Sequence, residues 1–176
     1  MQVLFDKETI ARRVHQLARD IMVDYYKKDL MILSVLNGAF IFTSDLVREL
    51  HKSTLTVTFI RASSYRGTLS TGQVQIDHLP LQEITKRNVL IVEDIVDTGR
   101  TCVTLRDKLM VAMPESLHFC ALLNKQSRRE VKFEPRYTGF YIPDKFVIGY
   151  GLDFDGKYRN LAEIYTFEED KNGSHR

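Results

Sequence analysis

Residues 88–101, NVLIVEDIVDTGRT, run from an almost wholly apolar stretch directly into Glu93, Asp94 and Asp97, with Thr98, Gly99, Arg100 and Thr101 close behind. A short run of β-branched and apolar residues reads as a buried strand, and RTCVTLRDKLMVA after it (100–112) reads as a helix. A strand that ends in acids and turns at Thr-Gly into a helix constrains the chain strongly. In open α/β sheets, ligands bind outside the carboxyl ends of the strands.

The other segments extend the same alternation. Ile10, Val14, Leu17, Ile21 and Tyr25 recur at steps of three and four, the period of an amphipathic helix. LMILSVL (30–36) reads as a buried strand, broken by Asn37-Gly38, and AFIFTSDLVREL (39–50) returns to helical spacing. TLTVTFIRA (54–62), LHFCALLN (117–124), TGFYI (138–142) and KFVIGYG (145–151) read as four further strands. The expectation is an α/β fold, a central and largely parallel sheet flanked by helices, in a single domain spanning 1–176. SSYRGTLSTGQVQIDHLPL (63–81) reads equally as a solvated hairpin or as a mobile loop of unusual length, and long loops in compact domains are often lids. The last residues, 168–176, are polar and expected to fray.

Composition narrows the function. Lys and Arg total 25 against 23 acids, a formal net charge of +2, which is no footprint of a dedicated nucleic-acid binder. No apolar run approaches the ~20 residues that span a bilayer, and the N-terminus lacks a signal-peptide core. Cys102 and Cys120 are too few for a disulfide framework and fit a reducing cytoplasm. The five histidines have no zinc-ligand spacing.

At a strand end, Glu93 and Asp94 can accept hydrogen bonds from a vicinal diol such as that of a ribose, or hold Mg²⁺ directly or through water. The turn 97–101 opens a helix whose first N–H groups are unpaired and whose dipole favours an anion. Gly99 permits close approach, and Thr98 and Thr101 add hydroxyls. An isolated acid or threonine before a helix is more often a cap; the density of groups here favours a monophosphate beside a sugar diol. Without Gly-x-x-x-x-Gly-Lys the loop is not a Walker loop.

VLIVEDIVDTGRT (89–101) resembles the phosphoribosyl pyrophosphate (PRPP) signature of the type I phosphoribosyltransferases. IPDKFVIGYGLD (142–153), LLNKQSRR (122–129), SSY (63–65) and YRNL (158–161) resemble, in the family's order, the purine clamp, base-reading strand end, lid start and pyrophosphate segment of hypoxanthine-guanine phosphoribosyltransferases of bacterial type. The resemblance implies the type I phosphoribosyltransferase fold, with a small hood from the chain ends and a mobile lid. It implies transfer of the 5-phosphoribosyl group of PRPP to N9 of hypoxanthine or guanine, giving IMP or GMP. A xanthine-preferring enzyme and a PRPP- or nucleotide-sensing regulator that binds nucleic acid are the alternatives on the same fold.

Site residues carry over by position. Asp97 matches the catalytic base near purine N7. Glu93 and Asp94 match the ribose contacts, and Thr98, Gly99, Arg100 and Thr101 the 5′-phosphate loop. Lys125 matches the donor to the six-oxo group, Phe146 the stacking aromatic and Val147 the backbone contact to the purine edge. Asp153 falls in the purine clamp and matches a Mg²⁺ ligand, with Glu93 and Asp94 as further candidates. Leu36, Asn37, Gly38, Ser64, Tyr65 and Arg159 match the pyrophosphate and lid contacts. On spacing alone, Phe146 and Val147 would read as core, Lys125 as a solvated lysine and Asp153 as a turn residue. Asn37 stands where the family often has Lys or Arg, which removes the charge of a cross-subunit contact. The resemblance further implies a cis peptide at Leu36–Asn37, Mg²⁺ as cofactor, small-molecule substrates, no nucleic-acid or membrane partner, a homodimer or homotetramer, and a cytoplasmic setting.

Overall fold

Period-two alternation sends successive side chains of a strand to opposite faces of its sheet, so a strand that is apolar throughout needs cover on both. In the computed structural model, which describes residues 1–64, 74–77 and 79–167, β5 (Asn88–Val96) meets that demand. Leu90 and Val92 join one buried cluster, while Val89 and Ile91 join another. β2 (Met31–Leu36) and β6 (Ser116–Asn124) divide likewise: Ile32, Cys120 and Leu122 go to the first cluster, Met31, Leu33, Phe119 and Ala121 to the second.

Helices close each cluster. α1 (Lys7–Tyr25) buries Ile10, Val14, Leu17, Ile21 and Tyr25, the stripe its sequence spacing predicts, and Asp6 caps it by accepting from Thr9 N at 2.7 Å. α2 (Phe40–Glu49) lies on the same face with Phe42 and Leu46. The opposite face is covered by α4 (Arg100–Met110) through Cys102, Leu105 and Leu109, and by the single turn α3 (Leu81–Ile84) through Ile84.

The main sheet has the order β4-β3-β2-β5-β6-β7, with β3 Thr56–Ser64, β4 Val74–Asp77 and β7 Tyr137–Tyr141. β3, β2, β5, β6 and β7 are mutually parallel, and β4 is an antiparallel edge strand. The chain leaves β2 toward β3 and then returns to place β5 on the other side of β2. That reversal opens a crevice at the carboxyl ends of β2 and β5. A second sheet, β1-β9-β8, joins both chain ends: β1 (Gln2–Phe5), β9 (Ile164–Thr166) and β8 (Val147–Ile148), all antiparallel. It is the hood that the family resemblance implies.

Three elements differ from the sequence reading. KFVIGYG (145–151) is not a main-sheet strand, and only Val147–Ile148 is extended, in the hood. Gly149, Tyr150 and Gly151 all have positive φ (94°, 50° and 99°), which ends the strand at once. β1 and β9 were not anticipated, because strands of four and three residues carry too little periodicity to read. β3 and β4 pair antiparallel from Arg61↔Asp77 to Ser64↔Val74, the hairpin reading of this region. Tyr65, much of the expected lid and the polar tail 168–176 lie outside the described residues. Among the described residues, no helix is long and apolar enough to cross a membrane.

One polar pair sits inside the first cluster's wall: Ser34 of β2 and Thr43 of α2, both buried, share a hydrogen bond of 2.7 Å. Ser34→Ala leaves the Thr43 hydroxyl without a partner and is expected to lower stability by roughly 1–3 kcal/mol. The double variant with Thr43→Val is expected to recover much of that loss. Urea unfolding of the single and double variants checks both.

Candidate active site

Where β2 and β5 end, backbone and side chains enclose a cavity of about 280 Å³. Its walls are Leu36, Asn37 and Gly38 from the end of β2, Glu93, Asp94, Asp97, Thr98, Gly99 and Thr101 from the end of β5 and the turn into α4, and Asp153 and Arg159 from the hood side. A second cavity of about 390 Å³ continues from it, lined by Lys125, Arg128, Asp144, Phe146, Val147 and Leu152. Asp94, Ile95, Asp97 and Asp153 line both. A larger groove of about 780 Å³ beyond β6 carries Arg106, Lys132 and Arg136. Arg106 is already paired with Asp107 and Arg136 with Asp24, so size does not mark the site.

The two strand-end acids reach the same cavity from different surroundings, because adjacent strand residues alternate in direction. Asp94 turns toward Gly38, where a Cβ would lie 1.5 Å from its Oδ2; only glycine leaves room for that carboxylate. Asp94 Oδ1 accepts from the Ile95 N–H at 2.8 Å. Glu93 is buried, and its Oε1 has no hydrogen-bond partner. Burial, with Asp94 beside it, drives the Glu93 carboxyl well above its usual range. Burial also raises Asp94 to about 6, against the opposing pull of the Ile95 N–H and the Arg159 guanidinium. The buried Glu93 oxygen is thus an acceptor without a partner, beside a half-buried Asp94 carboxyl, as a diol or a cation requires.

The turn into α4 has no side-chain cap, and Gly99 occupies its N-cap with φ +84°. The Arg100 N–H has only a long contact of 3.4 Å to Thr98 Oγ1. Thr98, Gly99 and Thr101 line the cavity; Arg100 does not, since its side chain points away to pair with Glu130 at 2.6 Å. The expected phosphate loop therefore presents Arg100 to the cavity region by its backbone N–H, not by its guanidinium. Cys102 is buried at the same helix start, and burial pushes its thiol up, so it offers no thiolate.

The Leu36–Asn37 peptide is cis. Asn37 Oδ1 accepts from Arg61 Nη2 at 3.4 Å, which brings a guanidinium from β3 beside the loop that lacks its own. Arg159 donates to Gly151 O at 2.6 Å and pairs with Asp153 at 2.7 Å. Among the described residues no group of three or more His, Cys, Asp or Glu is clustered to hold a metal. Glu93, Asp94 and Asp153 nevertheless share one cavity. Hard oxygen donors spread in this way, one of them orphaned, suit a Mg²⁺ that keeps most of its ligands from water and substrate phosphates.

In the second cavity, Lys125 is not a solvated lysine. Its side chain is 8% exposed, and its nearest carboxylate is Asp144 at 3.8 Å, so donor capacity remains for a ligand oxygen. Phe146 is not core either: it is 44% exposed and meets Phe154 edge-on, which leaves ring surface free over the cavity. Val147 is buried in β8. The sequence reading missed Arg128 and Asp144. Arg128 Nε lies 3.0 Å from Asp97 Oδ1, close enough to pair though not aligned as a hydrogen bond, and its Nη1 lies 3.5 Å from Asp144. The signal was present in the SRR run (127–129), but nothing in its spacing separates a site arginine from a surface one.

Residues 2–155 match the family model of the phosphoribosyl transferase domain. The chain is 39% identical over 171 residues to the hypoxanthine-guanine phosphoribosyltransferase of Aquifex aeolicus, covering 96% of each chain. It is 40% identical over 167 residues to the hypoxanthine phosphoribosyltransferase of Escherichia coli K12, covering 93% of each. The crystal structure of a hypoxanthine-guanine phosphoribosyltransferase from Bacillus anthracis superposes with a TM-score of 0.90 at 39% identity, covering 96% of this chain and 99% of that one.

A buried acid whose pKa is raised on folding contributes its full stability below its unfolded value and loses it as pH rises through the folded value. For Asp94 that window runs from 3.8 to about 6. Asp94→Asn is therefore expected to make the ligand-free protein more stable at pH 7, by about 1–3 kcal/mol, with no gain at pH 4. Thermal melts in EDTA across that range check it.

Proposed function

The chain belongs to the hypoxanthine-guanine phosphoribosyltransferases, and from that premise we propose how its residues divide the reaction between them. It is a purine-salvage enzyme that transfers the 5-phosphoribosyl group from PRPP to N9 of hypoxanthine or guanine, releasing pyrophosphate. The observation that carries the division of labour is the pair of adjoining cavities that meet at Asp97.

In this reading the first cavity takes PRPP. The N–H groups and hydroxyls of 98–101 hold the 5′-phosphate at the positive end of α4. Asp94 and Glu93 accept from the ribose diol, and Leu36, Asn37, Gly38 and Arg159 hold the pyrophosphate, with Ser64 and Tyr65 contributing from the lid. Asp153, with Glu93 and Asp94 nearby, would hold Mg²⁺. The chemistry that the ion supplies when bound is neutralisation of charge on the departing pyrophosphate. The second cavity takes the base. Phe146 stacks on it, Val147 meets its edge through the backbone, and Lys125 donates to the six-oxo group. A six-amino purine would leave that buried ammonium unpaired, which discriminates strongly.

The bond from C1 to the pyrophosphate oxygen breaks as that from C1 to N9 forms, with oxocarbenium character at C1 as in glycoside hydrolysis. No protein nucleophile is required. Asp97 Oδ1 accepts the N7 proton of the base as N9 attacks, and the Arg128 contact must open for it to do so. Holding both substrates in adjoining cavities supplies most of the rate through orientation. The chain works as a single domain and assembles as a homodimer or homotetramer in the cytoplasm.

Initial rates with hypoxanthine, guanine, xanthine and adenine, each with PRPP and with Mg²⁺ or EDTA, test the substrate reading. Turnover of the first two, none of adenine, and loss in EDTA are expected; a preference for xanthine would replace it. Asp97→Asn is expected to lower kcat by about 10²-fold or more with little change in PRPP affinity. An unchanged kcat removes Asp97 from the mechanism.

A further inference from the structure

Asp97 is held from behind by a side chain that lines neither of the two cavities. Arg129 follows the short 3₁₀ turn Gln126–Arg128, and its Nη1 donates to the Asp97 carbonyl at 2.8 Å. Its Nη2 donates to Asn124 Oδ1 at the end of β6. Asn124 is fully buried, and its amide nitrogen donates to Glu134 Oε1 at 2.9 Å. Because Glu134 can only accept, the amide must turn its nitrogen there and its oxygen to Arg129. Tyr141 Oη donates to the same Glu134 oxygen at 3.1 Å. A polar chain therefore runs from β7 through a buried amide to the backbone of Asp97.

The turn also rests on this arginine sterically. A Cβ on Gly99 would lie 2.9 Å from Arg129 Cδ and 3.1 Å from Val131 Cγ2. The next residue of the same segment reinforces the hold, since Glu130 N donates to Thr98 O at 3.0 Å. A planar guanidinium can reach acceptors on two different loops at once with fixed geometry; an ammonium cannot.

We propose that Arg129 is a positioning residue for phosphoribosyl transfer: it fixes the Asp97 carbonyl, and so the direction in which the Asp97 carboxylate faces. The proposal rests on the role given to Asp97 above. Misplacing a reacting group by even 1 Å can cost ~10²-fold in rate, so the effect belongs in kcat more than in base affinity.

The test measures kcat and the KM for hypoxanthine for Arg129→Met, Arg129→Lys and Glu134→Ala, each alone and combined with Asp97→Asn. Melting with and without GMP monitors folding. Arg129→Met is expected to lower kcat about tenfold or more while KM changes less than about threefold. Arg129→Lys restores part of the loss. Glu134→Ala, at an exposed position, shifts kcat the same way by a few-fold and decides the matter with Arg129→Lys if Arg129→Met does not fold. Groups acting through one another are non-additive, so each effect should largely vanish in the Asp97→Asn background. If Asp97→Asn alone leaves kcat unchanged, the role of Asp97 fails and this proposal with it. If Asp97→Asn lowers kcat but the Arg129 variants do not, or the losses multiply in the double variants, only the positioning role is overturned.

Discussion

The parallel pairing of β2 with β5, from Met31↔Val89 to Ser34↔Val92, is the contact on which the rest depends. It stops at Ser34, and past that point the two strand ends diverge around a cavity. The chain has reached β5 only after leaving β2 on the other side, so no connecting loop fills the gap. Most of the cavity lining then arrives by continuation of one of these two strands, Leu36 to Gly38 from one and Glu93 to Thr101 from the other, while Asp153 and Arg159 close it from the hood side.

That arrangement works against stability where it serves binding. Glu93 and Asp94 extend from the most buried strand, and withdrawal from water raises both carboxyls. A folding optimum would place amides or apolar side chains there. The unpartnered Glu93 oxygen is open to a donor from a bound ligand, which offsets part of that folding penalty. The loop 124–130 and the turn 96–100 show the opposite logic. Lys125 N to Val96 O at 2.9 Å, Arg129 to Asp97 O and Glu130 N to Thr98 O at 3.0 Å stitch the two segments together at three successive acceptors, Val96, Asp97 and Thr98. Rigidity there keeps the two cavities in register.

Legibility followed the length of the pattern. α1, β2, β5 and β6 were readable because long runs of one period leave few alternatives. The hood was not, since β8 has two residues and β9 three, and their pairing joins opposite ends of the chain. The turn 97–101 was legible because its chemistry is contiguous. That Lys125, Phe146 and Asp153 line a cavity was expected only through family resemblance, as their burial and exposure are set by neighbours far away in sequence. The direction of the Arg100 side chain was not legible, since sequence gives its position in the loop but not the partner, Glu130, that draws it away.

The sequence by itself determined the α/β class, the strand that carries the acids and the phosphoribosyl chemistry behind it, because these depend on local periodicity and on groups within a dozen residues. Tertiary structure alone decided that a Glu93 oxygen is buried without a partner, that Gly38 must leave space for a carboxylate 56 residues on, and that Asp97 stands where two cavities join. Each of these is a matter of contact between segments distant along the chain, and only the folded backbone brings them within reach.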